Sequence, residues 1–123
     1  EARMPRYLLS AHTVEGEPRE PMTEEQMRET SERVRELEDE MRAAGALALG
    51  GRLHQPGSAR VVRISGGETL ITDGPFAESK EHIGGFYVID AEDIEDALSW
   101  AAKTAECVST AIEVRAFWEP NDG

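Results

Sequence analysis

The chain has 123 residues, of which 25 are acidic and 13 basic, for a formal net charge of -12. That length fits one compact domain, and the charge has the wrong sign to neutralise a nucleic-acid backbone. No apolar run approaches the roughly 18 to 20 residues that cross a bilayer, so the expectation is a soluble, cytoplasmic protein with neither nucleic acid nor membrane as partner.

Met4 is expected to be the native start, and a single domain is expected over 5–118, with 1–4 and 119–123 as tails. RYLLSA, Arg6 to Ala11, follows Pro5 and reads as a buried strand. TEEQ, Thr23 to Gln26, is a capping box that opens a long helix. Met27, Val34, Leu37, Met41 and Ala44 mark its core-facing stripe. Glu24/Arg28, Glu29/Arg33 and Glu38/Arg42 are spaced for i,i+4 pairing on a solvated face, and Gly45 supplies the left-handed stop. ALALGGRL and ARVVRI read as two strands joined by a turn with Pro56 and Gly57, and ETLITD after Gly66-Gly67 adds a hairpin. That glycine pair is a turn, because no phosphate-loop pattern surrounds it. GFYVID, Gly85 to Asp90, is a further strand. Ile94, Ala97, Leu98, Ala101 and Ala105 outline a second helix, capped by Asp90 or a near neighbour. AIEVRAF closes the pattern as an alternating strand, and the lone Cys107 reads as structural.

Strand, helix, two or three strands, helix, strand is the order of a ferredoxin-like βαββαβ domain. Its fold class is α+β, with both helices on one face of an antiparallel sheet. The other face would carry apolar and aromatic residues as well as charge, which predicts that a second copy covers it in a homodimer.

The stretch TDGPFAESKEHIGGF, Thr72 to Phe86, gathers three carboxylates, a lysine and a histidine around a turn. Asp73-Gly74 favours the turn, Pro75 holds Gly74 out of the helical region, and Phe76 is expected to anchor it. Glu78, Lys80, Glu81 and His82 are placed on the next turn. Gly84-Gly85 is then expected to let the backbone bend before the strand resumes. Grouped ionisable residues on a loop of a rigid scaffold can perturb one another's pKa values, which suits acid–base work.

TDGPFAESKEHIGGFYVID, a helix containing ALSWAA, the final IEVR and the upstream LHQPGSARVVR together resemble the DGPF branch of the YCII-related family. The resemblance spans nearly all of Tyr7 to Arg115. It implies a ferredoxin-like fold assembled as a dimeric α+β barrel, in a branch often encoded near extracytoplasmic-function sigma factors. Relatives in the wider group use a His/Asp pair in a cleft, and other dimeric barrels are isomerases and oxygenases of small organic molecules. His12, His54 and His82 have no firm counterpart to that histidine, and each reads as solvent-exposed or locally hydrogen-bonded. KTAECV lacks the proline usual after the second helix, and VRAFWE has alanine where proline is usual.

Two functional classes follow. In a small-molecule enzyme or pocket, Asp73 and Glu78 are the candidate acid–base groups and Lys80 stabilises negative charge. Phe76 and Glu81 line the ligand, Arg63 and Arg115 bind its carboxylate, and Glu113 orients an arginine or shares a proton. Proton transfer, isomerisation or hydrolysis is the expected chemistry, with no cofactor, and with no metal because HxH and HExxH spacings are absent. In a non-catalytic regulatory or ligand-sensing homodimer, the same charges form a salt-bridge network. The first class needs an accessible cavity with at least one unpaired titrating group, whereas the network of the second is fully satisfied.

Overall fold

In the computed structural model, residues 4–14, 21–76, 81–120 and 122 are described. β1 (Arg6–Val14) leads to α1 (Glu24–Ala43), and β2 (Leu47–Arg52) is followed by a 3-10 turn at Pro56–Ser58. β3 (Arg60–Ser65), β4 (Glu68–Asp73), β5 (Glu81–Asp90), α2 (Ile94–Val108) and β6 (Ile112–Ala116) complete the chain. β2, β5, β1 and β6 form one sheet in that order, every ladder antiparallel. This is an α+β, ferredoxin-like arrangement. Four strands separate the helices, and two of them, β3 and β4, leave the main sheet as a hairpin of their own.

Local chemistry sets the ends of these elements. Thr23 caps α1: its hydroxyl accepts from the Gln26 amide at 3.1 Å, while the Gln26 side chain accepts from the Thr23 amide at 2.9 Å. Gly45 stops the helix at φ 69, a left-handed backbone that costs glycine little. The α2 cap is Asp93, whose carboxylate accepts from the Asp96 amide at 2.8 Å. Gly66 and Gly67, both at positive φ, make the tight turn between β3 and β4.

The apolar stripe of α1 is buried at Leu37 and Met41, while Met27, nearer the free end, is half exposed. α2 turns Ala97, Ala101 and Thr104 inward, leaving Ile94 and Leu98 exposed. Small residues suit that face because they bring the helix close to Tyr7, Leu9, Ile89 and Ala91. Burying Leu9 and Ile89 contributes about 1.5–3 kcal/mol each. Leu37, Met41 and Ala46 form a second cluster, and Tyr87 and Trp100 pack against both, so the two helices share one face of the sheet. Lys103 pairs with Glu40 across the helices and lies over the Trp100 ring. Glu38 and Arg42 form the expected i,i+4 pair at 3.4 Å.

β5 differs from expectation in a way that matters for function. The sequence places Glu81 and His82 on a turn and the bend at Gly84-Gly85, but β5 already starts at Glu81. The β1 register passes from Ala11↔Gly85 to His12↔Ile83, leaving Gly84 as the extra residue of a bulge. Long-range pairing with β1 thus holds a segment that looks like loop. A Cβ at Gly84 would lie 3.1 Å from the Thr13 methyl, which accounts for glycine there.

Candidate functional site

Side chains alternate along a strand, and residues directly opposite in neighbouring strands point to the same side. Tyr7, Leu9, Tyr87, Ile89, Ile112 and Val114 face the helices. The register then sends Leu8, Ser10 and His12 of β1, Ile83, Phe86 and Val88 of β5, Leu49 of β2, and Glu113 and Arg115 of β6 to the opposite face. No helix of the described chain covers that side.

On this face Ser10 is 1% exposed, and its Oγ lies 3.2 Å from Nε2 of the half-buried His12. The pair exists because i and i+2 positions on a regular strand share a side, and the bulge that shifts the register is on β5. Glu113 stands directly opposite Ser10 and Arg115 opposite Leu8, so the Cβ atoms of Glu113 and Ser10 are about 5 Å apart. Thr110 donates its hydroxyl to the His12 carbonyl at 3.4 Å, fastening the α2–β6 connection to this end of β1. Among the described residues, the His12 ring has Ser10 as its hydrogen-bond partner, and neither Glu113 nor Arg115 has an ion-pair partner.

The other residues singled out from sequence fall elsewhere. Asp73 ends β4 with its side chain 87% exposed, 3.5 Å from the Arg60 Nε. Arg63, on β3, stacks its guanidinium 5.2 Å from the ring centre of the exposed Phe76. Glu81 opens β5 opposite Val14, and His82 lies opposite Thr13, whose hydroxyl donates to the His82 carbonyl at 3.3 Å. His54 is exposed in the connection after β2. Glu78 and Lys80 lie outside the described residues. Glu113 is therefore brought opposite Ser10 and Arg115 opposite Leu8, on the face that also carries His12, while Asp73, Arg63 and Phe76 lie on or next to the separate hairpin. The S-x-H spacing in a buried strand was the available signal for Ser10, which the sequence reading did not single out.

Two cavities occur elsewhere. One, about 350 Å³, is lined by Pro21, Met22, Gln26, Glu29, Thr30 and Arg33 beside α1. The other, about 300 Å³, lies between α1 and the free edge of β2, where Tyr87 donates to Glu38 at 2.7 Å beside Arg42. Burial first, and then this hydrogen bond to a carboxylate, push the Tyr87 phenol well above its ordinary range. Burial also raises the Cys107 thiol, which packs beside Leu37, Met41 and Ala46. In the second cavity the polar groups, Glu38, Arg42 and Tyr87, are paired with one another. The open sheet face instead carries unpaired groups. Among the described residues, no three His, Cys, Asp or Glu side chains converge to hold a metal ion, and no helix is long and apolar enough to cross a membrane.

A family model described as the YCII-related domain matches residues 6–120. An uncharacterised protein of Rhizobium meliloti (strain 1021) is 40% identical over 83 residues, covering 64% of this chain and 67% of that protein.

Proposed function

For this chain, a member of the YCII-related domain family, we propose a homodimer that binds a small organic anion over the helix-free face of its sheet, with acid–base chemistry as the activity. The DGPF tetrapeptide, Asp73 to Phe76, assigns it to the branch of that name within this proposal. The observation that carries the reading is the placement of Glu113 and Arg115, without ion-pair partners among the described residues, on the same sheet face as Ser10 and His12. A salt-bridge network would have satisfied these charges; a ligand site leaves a guanidinium for a carboxylate. Leu8, Leu49, Phe86 and Val88 supply the apolar surroundings. A second copy over this face would exclude water and strengthen each charge contact.

A thermal-shift series with small mono- and dicarboxylates tests the reading, because ligands that bind only the folded state raise its melting temperature. Stabilisation by an organic acid that disappears in Arg115→Ala and persists in Asp73→Asn is the expected result. Stabilisation lost only in Asp73→Asn would move the site to the hairpin. A dimer with no response to any of the acids would favour the regulatory role.

A further inference from the structure

We infer that His12 is the proton-transfer group of this face and Ser10 its positioning residue, acting on a small organic acid with an acidic C–H beside a carbonyl. The inference rests on the anion-binding reading above and adds to it a reacting atom and a reaction class.

The geometry begins with Ser10. Its hydroxyl is buried too deeply to meet a substrate, yet it lies 3.2 Å from His12 Nε2. A histidine held at one ring nitrogen has its ring angle set by that contact, leaving the other nitrogen for chemistry, and because a hydroxyl can donate or accept, the tautomer is the choice the proposal makes. With Nε2–H donating to Ser10 Oγ, Nδ1 keeps its lone pair and can accept a proton. Among the described residues, Nδ1 has no hydrogen-bond partner. Ile83 of β5 is uncharged opposite His12, and Glu113 of β6, opposite Ser10, is the titratable neighbour on this side. His82 lies one position along β5, opposite Thr13, and its side chain alternates to the helix side. An imidazolium formed during reaction is thus accompanied by the Glu113 carboxylate.

Arg115 sets the size of the substrate. Successive same-face positions along a strand are about 7 Å apart, and the Arg115, Glu113 and His12 positions occupy three consecutive rows. The first and last rows are therefore about 13 Å apart, and the long arginine side chain covers about half of that. A carboxylate held by Arg115 puts an atom a few bonds away within reach of Nδ1, which suits a short-chain oxo acid.

The step needs no further reactant. The C–H bond next to the carbonyl breaks and its proton goes to Nδ1. The electron pair moves into the carbonyl to give an enolate. Return of the proton from the imidazolium, to the same carbon or to a conjugated one, restores neutral imidazole and completes exchange or isomerisation.

Two measurements on the intact protein test this. Nitrogen-15 NMR of the histidine rings at neutral pH should report the Nε2–H tautomer for His12, and the Nδ1–H tautomer would overturn the proposal. In D2O, the protein should exchange the C3 protons of pyruvate, 2-oxobutyrate or 2-oxoglutarate for deuterium, with the rate followed as a function of pH. His12→Gln should lower that rate about a hundredfold or more, with the melting temperature of the wild type. Ser10→Ala should displace the pH profile, and Ser10→Thr should restore it, a response that a purely structural hydroxyl would not give. Arg115-dependent binding without exchange, or exchange unchanged in His12→Gln, overturns the inference and leaves the binding reading intact. Absence of binding by any of these acids removes both.

Discussion

At the residue scale, titratable rings have opposite uses on the two faces of the sheet. Tyr87 is tied off: its hydroxyl donates to Glu38 at 2.7 Å, and burial, then that bond, hold its proton. A phenol whose pKa is raised in the folded state contributes stability that is fully present below the unfolded value, about 10. That contribution is lost as pH climbs above it, because the unfolded chain then releases the proton first. Wild type should lose stability more steeply than Tyr87→Phe above about pH 10, measured by urea unfolding at several alkaline pH values. Equal slopes would remove the shift. At neutral pH the substitution should cost about 1 kcal/mol, the usual net worth of one hydrogen bond. His12, in contrast, has one ring nitrogen engaged and the other open among the described residues, which is why it and not Tyr87 is a candidate for chemistry.

At the element scale, β2 and β5 show how backbone positions decide what a strand can carry. Gly50 lies opposite Tyr87, and a Cβ built there would be 2.4 Å from the Tyr87 ring. Glycine is therefore required by a neighbour on another strand, and no local turn explains it. Gly50→Ala should destabilise the protein by about 1–3 kcal/mol, the range for overpacking, read from the denaturation midpoint at unchanged m-value. A change within about 0.5 kcal/mol would mean that the ring moves aside freely. The expected loop that ends near Gly84 misread β5 for a related reason. Glu81, His82 and Ile83 lack a strong strand pattern of their own and are held by pairing with Val14, Thr13 and His12.

At the scale of the whole molecule, charge and the open sheet face oppose each other. Each copy carries -12, so two copies repel, while Leu49, exposed at 53%, and Ile83, at 42%, lie on the uncovered side. Salt screens the repulsion, with a Debye length that falls from about 30 Å at 0.01 M to about 3 Å at 1 M. The proposed dimer should therefore tighten as salt rises, measured by sedimentation velocity, and Leu49→Glu should weaken it at every salt concentration. A monomer at all concentrations would refute the dimer and leave the sheet face open. The β3–β4 hairpin adds an exposed row of its own, Val62, Ile64 and Ile71.

The elements most legible in the sequence were those encoded by neighbours in the chain. The capping box at Thr23, the stop at Gly45, the Gly66-Gly67 turn and the alternation of β6 depend on residues within a few positions, and the structure contains each of them. The ferredoxin-like order followed from them. The site was only partly legible: Glu113 and Arg115 were named from the sequence, whereas the proximity of Glu113 to Ser10 was not. That proximity comes from a β1–β6 register joining residues about a hundred positions apart, while a bulge at Gly84 returns His12 to Ile83. Apart from the start of β5, sequence by itself determined which segments form strands and helices, because propensity, capping and periodicity act locally. Tertiary structure alone decided which charged residues of different strands come to share a face, because strand register is fixed by long-range pairing and by the burial of one face.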